Sequence, residues 1–383
     1  MKLRTAIALV AVLACGWIAR PDAQGRGGRG GGAPGGRGGA AGGGPRVGRV
    51  DHITVHGKSL EGNLEGDSPD RDVLVYLPPS YLGDQMRRFP VVYLLHGYTG
   101  KEDTFTARLA NIQQSGDRLD GAQGFSSAIY VMPSAYTLHK GSMYSNSPTT
   151  GNWEAFIADD LVAYIDGHYR TLPTRMSRGL AGHSMGGYGA LRIGMKRPEV
   201  FSSLYLMSSC CLTADRNPSP QSMAAAEAIT TREQAEEAAK APGFGVSTTL
   251  AEAAAWSPNP SRPPLFFDLP VEKGKVRPEI VAKWVANAPL ETLAQYADKL
   301  KLYFSIGMEV GTKDPLYRSN VQLHESMTQL NIRHVFEEYD GDHTNRIKER
   351  IERNTLPFFA RYLASPVNPT SPSPEADRLA PAK

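Results

Sequence analysis

"RGLAGHSMGGYGAL" (residues 178–191) sets a single serine, Ser184, among five glycines. A short run from Ser177 to Ala181 leads in, and Tyr188 to Ile193 leads out toward helical spacing. The stretch therefore reads as a strand, an abrupt turn and a helix. A turn sharp enough to push one side chain out over a sheet forces that residue's backbone into a strained conformation, and its neighbours must leave room. Gly182 and Gly186 stand two residues before and after Ser184, which is the G-x-S-x-G pattern of a nucleophile elbow. Gly187 and Gly189 let the helix pack closely on the strand before it. A serine that only capped a helix would need no such clearance.

A serine hydroxyl is a weak nucleophile at neutral pH and needs a base, itself oriented by an acid. In this arrangement the chain order is nucleophile, acid, base, so the base belongs in a loop after the last strand. His343 in "EEYDGDHTNR" (337–346) fits, with Gly341 and Asp342 marking the turn. His334 falls within a strand, His324 on a helix, and His96 and His183 on the wrong side of the order. For the acid, "GMEVGTKDPLYRSN" (307–320) offers Glu309 and Asp314. Asp314 is favoured because it lies in a turn closed by Pro315 just before a helix, although Glu309 is also within reach. Asp340 and Asp342 are too near the histidine in sequence to bridge it well. The oxyanion formed by attack needs two backbone donors. One is the amide of Met185, the residue after the nucleophile. The other belongs to the loop in "YLLHGYTG" (93–100), where Gly97 lets the chain turn tightly and aims the Tyr98 amide, leaving the Tyr98 side chain free to line a pocket.

The surrounding pattern alternates strands and helices. "RDVLVYLPPSY" (71–81) alternates apolar and polar residues and stops at a proline pair, as an antiparallel edge strand would. "FPVVYLLHG" (89–97) and "SSAIYVMP" (126–133) are continuous apolar runs of the kind buried on both faces. Helical spacing runs from Trp153 to Tyr169. Further strands are expected over 178–181, 201–207, 302–306 and 334–339, with helices over 316–330 and 345–362, the last bent near Pro357. This predicts an α/β fold: a mostly parallel central sheet with helices on both faces. About ninety residues, 212–300, form a partly helical insertion between the sixth and seventh strands, where a lid or substrate-shaping cap would sit. Its helical stretches are 223–240 and 250–256. The polar "YSNSPTTGNW" (144–153) precedes a helix at the sheet's carboxyl edge and reads as a substrate-lining loop.

The ends differ in kind. Lys2 and Arg4 precede an apolar run from Ala6 to Ala14, too short to span a bilayer and right for a secretory signal. Residues 1–23 are thus expected to be a signal peptide, cut near Ala23, and the protein secreted or periplasmic. "VLACG", with Cys15, is a poor match to a lipoprotein signal and makes a lipid anchor the lesser alternative. Residues 24–49 form a Gly/Arg-rich linker without apolar content, expected to be disordered, and a Pro-rich tail over 365–383 reads the same way. Residues 1–49 hold eight Lys and Arg against Asp22 alone, which leaves 34 against 38, or a net charge of −4, for residues 50–383. A mildly acidic body without a basic cluster argues against a nucleic-acid partner. With 41% hydrophobic residues the chain can bury a full core. Beyond Cys15 the only cysteines are the neighbours Cys210 and Cys211, so no disulfide framework holds the fold, and two buried thiols are expected there.

Residues from about 50 to 362 resemble the esterase D / feruloyl esterase family of α/β hydrolases. The motifs "VYLPPSY", "FPVVYLLHGYTG", "GSMYSNSPTTGNWEAFIADDLVAYIDGHYRT", "GHSMGGYGAL", "GMEVGTKDPLY" and "DGDHT" occur in family order. The resemblance implies an α/β-hydrolase domain over 50–364, a triad of Ser184, Asp314 and His343, and an oxyanion hole from the amides of Tyr98 and Met185. It also implies that the region around Asn146 and Trp153 borders the substrate. Asp342 stands where the family has a glycine-rich turn before the histidine. Members act on feruloyl and acetyl groups of polysaccharides, on S-formylglutathione and on siderophore esters, and relatives include mycolyltransferases.

The expected chemistry is ester hydrolysis through an acyl-enzyme, with no metal or organic cofactor, on a small-molecule or polysaccharide ester. An acyltransferase would use the same triad with a sugar or alcohol acceptor. A peptidase is less favoured because the chain has no propeller-sized extra domain. A non-catalytic carbohydrate-binding or adhesion protein would tolerate loss of a triad member, and all three are present. No membrane insertion is expected after the signal is removed. The sequence is silent on oligomeric state.

Overall fold

The computed structural model describes residues 47–365. The expected signal peptide over 1–23, the expected linker up to residue 46 and the expected tail beyond Ser365 lie outside the described residues.

Eight strands form one sheet: β1 (Arg49–His56), β2 (Asp70–Leu77), β3 (Val91–Leu95), β4 (Ile129–Pro133), β5 (Arg178–His183), β6 (Ser203–Met207), β7 (Ser305–Gly311) and β8 (Val335–Tyr339). Their spatial order is β1-β2-β4-β3-β5-β6-β7-β8. β2 runs antiparallel to both β1 and β4, and every pairing from β4 to β8 is parallel. β3 and β4 are apolar and buried at every position because both of their faces are covered. Val91, Tyr93 and Leu95 of β3 enter one core with Trp153, Phe156 and Leu191, while Val92 and Leu94 enter the other with Ile112, Ile351 and Phe359. Among the described residues no helix is long and apolar enough to cross a membrane.

Four details differ from the sequence expectation. The strand over 71–77 is not the edge: β1 covers it, and β1 has no clear strand signal because "RVDHITVH" carries a charged residue or histidine at four of its eight positions. β7 begins at Ser305 rather than 302, since a short helix ends at Leu300 and Leu302 is exposed. Two glycines and Glu309 hid the rest of that fully buried strand. The helix expected over 223–240 is two, Pro220–Glu227 and Arg232–Lys240. The second is started by Thr231, which accepts the Gln234 amide N–H. The closing helix is continuous through a π-turn, Ile351–Thr355, and Pro357 sits in the first turn of the following segment, Leu356–Tyr362.

Glu309 is buried in β7. It accepts hydrogen bonds from the Tyr205 hydroxyl at 2.6 Å and from Arg350 Nη2 at 2.8 Å. Burial raises its carboxyl against the pull of Arg350. Removing one partner of a buried pair leaves an uncompensated charge. Arg350→Met is therefore expected to cost about 3 kcal/mol, read as a lower urea midpoint, and Glu309→Gln with Arg350→Met to recover part of it.

Candidate active site

Ser184 lies between β5 and the helix Met185–Lys196 with φ 59° and ψ −116°, a backbone state that side-chain-bearing residues rarely adopt. The strain is held from several sides. The Ser184 N–H donates to the Met207 carbonyl at 2.9 Å, and its own carbonyl accepts from Tyr188 at 3.0 Å and Cys210 at 3.1 Å. A Cβ on Gly182 would run into the backbone of Gly186, and one on Gly186 into the carbonyl of Leu95. Both glycines are thus required by close backbone approach.

The acid and base arrive on two loops that the sheet joins. β7 and β8 end side by side, with Gly311 opposite Tyr339. Beyond them, Thr312 N–H donates to the Tyr339 carbonyl at 2.8 Å and Lys313 N–H to Gly341 at 2.9 Å. Asp314, buried, accepts the Leu316 N–H at 2.8 Å through Oδ1, and its Oδ2 stands 2.8 Å from His343 Nδ1. His343 Nε2 is 3.0 Å from Ser184 Oγ. A carboxylate can only accept, so the His343 proton sits on Nδ1 and Nε2 is left to accept from the serine. Burial would raise the Asp314 carboxyl, but the hydrogen bonds from His343 and Leu316 hold it below its ordinary value. Asp342 closes the histidine loop itself: its Oδ1 accepts from the amides of Thr344 and Asn345, both at 2.8 Å. Glu309, the other candidate acid, is consumed by Arg350 and Tyr205.

Two further histidines, set aside as bases, brace the site. His183 donates from Nε2 to the His343 carbonyl at 2.8 Å, and its ring lies 4.6 Å from that of His343. Burial, then the neighbouring His343, pushes it down to about 3, so it stays neutral. His96 donates from Nδ1 to the Gly97 carbonyl at 2.8 Å and accepts the Ala135 N–H on Nε2 at 2.8 Å, tying the loop after β3 to the end of β4. Burial holds it at about 4. The only sequence signal for these roles was position, at the carboxyl ends of β5 and β3.

Met185 opens its helix, so its amide has no partner within the helix. Among the described residues no backbone carbonyl takes the N–H of Met185 or of Tyr98. Gly97 approaches closely, a Cβ there standing 3.2 Å from Ser184 Cβ. A cleft of about 210 Å³ opens at this point, lined by Ser184, His343, His183, Tyr98, Arg108 and Phe244 among others.

Asn146 and Trp153 do not line that cleft. Trp153 is 1% exposed and donates from its indole to the Thr150 carbonyl at 2.8 Å, so it is a core residue packed on Phe156. Asn146 is exposed on a two-stranded ribbon with Gly151–Asn152. The hydroxyls of the same stretch hold the insertion instead: Ser147 donates to the Ala254 carbonyl and Thr149 to that of Phe266, both at 2.6 Å. Cys210 and Cys211 correct another expectation. They are half-buried and disulfide-bonded to each other rather than two buried thiols.

A mostly parallel sheet with a strained serine after β5 and the acid and histidine after β7 and β8 is the α/β-hydrolase fold. Residues 68–347 match the family model described as "Putative esterase", and the chain belongs to that family. Esterase Rv1288 of Mycobacterium tuberculosis is 35% identical over 135 residues, 34% of this chain and 27% of that protein. An endo-1,4-beta-xylanase/feruloyl esterase of Xylanibacter ruminicola is 31% identical over 139 residues, 35% of this chain and 19% of its own. The chain thus matches well under a third of the length of these relatives. A solved ferulic acid esterase shares the fold, with TM-score 0.59 at 20% identity over 83% of this chain and 99% of that one.

Because the folded-state values of His183 and His96 lie below the unfolded value of 6.5, the unfolded chain takes up protons first as pH falls. Their contribution to stability is complete above about pH 6.5 and is lost on the way down toward 3 to 4. Melting temperature is expected to fall through that window. His183→Gln, which keeps an N–H for the His343 carbonyl and removes a titrating group, is expected to make the fall shallower.

Proposed function

We propose that this chain is a serine carboxylic-ester hydrolase that works through an acyl-enzyme on Ser184. The observation that carries it is His343, whose two nitrogens lie 2.8 Å from Asp314 and 3.0 Å from Ser184. Ser184 Oγ attacks the ester carbonyl as its proton passes to His343 Nε2, and Asp314 stabilises the imidazolium. The amides of Tyr98 and Met185 receive the oxyanion. The imidazolium then protonates the departing alcohol, and a water that gives its proton to His343 attacks the acyl-enzyme to release the acid. His183 and His96 are positioning residues: one fixes the carbonyl of the catalytic histidine, the other the oxyanion loop. Membership of an esterase family and the names of its relatives support ester hydrolysis.

The substrate class we infer is feruloyl or acetyl esters of polysaccharides, met outside the cytoplasm. Lys2, Arg4 and the apolar run Ala6–Ala14 support export, and a xylanase/feruloyl esterase among the relatives supports the plant-polymer side.

A fluorophosphonate probe is expected to label the wild type and not Ser184→Ala. Asp314→Asn is expected to lower kcat by about 10⁴-fold with little change in KM. Wild-type protein that takes no label removes the acyl-enzyme proposal. In a panel of p-nitrophenyl acetate, methyl ferulate, acetylated xylan and a thioester, a strong thioester preference overturns the polysaccharide assignment alone.

A further inference from the structure

Phe244 is the one aromatic among the large hydrophobic side chains exposed in the described residues, at 61%. Leaving such a ring in water forgoes the favourable burial of its apolar surface. It is not at a random surface point. It lines the cleft that contains Ser184 and His343, and its ring stacks on Tyr98 with centroids 5.8 Å apart and planes 22° apart. The Tyr98 hydroxyl is engaged by the His139 carbonyl, to which it donates at 2.8 Å, and both side chains line the cleft.

The chain carrying Phe244 is a short strap between fixed points. Lys140 Nζ holds the Ala241 carbonyl on one side, and on the other the helix Val246–Trp256 is locked by Ser147 at Ala254 and by Trp256 against Tyr188 and Trp284. Gly243 and Gly245 flank Phe244 with φ of 76° and 51°, and a Cβ at either would meet nothing within 4 Å. The strap thus has open space at both residues beside Phe244 while contacts hold its ends.

We propose that Phe244 is a specificity-determining residue, which with Tyr98 forms an aromatic wall that selects esters whose acyl group is flat and conjugated. The inference rests on the proposed acyl-enzyme chemistry. The alcohol must depart beside His343 Nε2, which protonates it, and the wall, in which Phe244 stacks on Tyr98 of the oxyanion loop, is assigned to the acyl group; a test that holds the alcohol constant decides that assignment. A flat conjugated acyl group gains ring stacking there that a small or flexible one does not. Discrimination between feruloyl and acetyl esters would then come from the insertion, not from the triad.

The test holds the alcohol constant and compares methyl cinnamate with methyl butyrate on wild type, Phe244→Ala and Phe244→Trp. The expected result is that Phe244→Ala loses about tenfold in kcat/KM on methyl cinnamate, mostly through KM, and less than about twofold on methyl butyrate. Phe244→Trp should restore the cinnamate activity. Equal losses on both esters, or none on either, overturn the role of Phe244. Fluorophosphonate labelling of each variant separates the two levels: labelled variants with the wrong preference refute the aromatic wall only, whereas an unlabelled wild type refutes the underlying chemistry.

Discussion

The whole site depends on one strained residue. Ser184 is held with a positive φ at the carboxyl end of β5, and that state points its hydroxyl out of the sheet toward the loops that follow β7 and β8. Strain at such a position persists only where the surroundings over-determine it. Here they do, through the backbone bonds to Met207, Tyr188 and Cys210 and the two glycines that let β3, β5 and the following helix approach closely. The central place of β5 matters too, because strands on both sides resist any relaxation of the turn.

The histidine is positioned by the sheet in a different way. Parallel pairing brings the ends of β7 and β8 to the same level, and the hydrogen bonds from Thr312 and Lys313 to the turn after β8 carry that register outward. Asp314 and His343 are thus placed by one connected piece of backbone rather than by two independent loops. Asp342 completes it by closing its own turn, accepting the amides of Thr344 and Asn345. His183 reaches the same loop and stays uncharged, which would avoid a second cation beside the imidazolium of the proposed mechanism.

The insertion is neither a detached lid nor plain surface helix. Its helix Val246–Trp256 is sewn to the polar stretch 144–153, and its strap delivers Phe244 to the cleft. The same contacts place Asn146 and Trp153 away from the cleft that holds Ser184. A run of Ser, Thr, Asn and Gly before a helix looks the same from sequence whether its hydroxyls meet a ligand or the carbonyls of another segment. In the folded chain, Ser147 and Thr149 are buried against the insertion and Trp153 lies in the core.

The sequence by itself determined the fold class, the elbow at Ser184, and the loops that carry Asp314 and His343. Each of these is written in local chemistry: glycine where backbone approaches backbone, continuous apolar runs where both faces are covered, and turn residues after the last strands. Tertiary structure alone decided between Glu309 and Asp314, since both follow the same stretch and only packing shows that Arg350 takes the first. It also decided the contacts of His183, His96 and Phe244, the edge position of β1, and the pairing of Cys210 with Cys211. The physical reason is common to all of them: what such a side chain does is set by a partner far away in the chain, and spacing along the sequence carries no record of which distant group will be there.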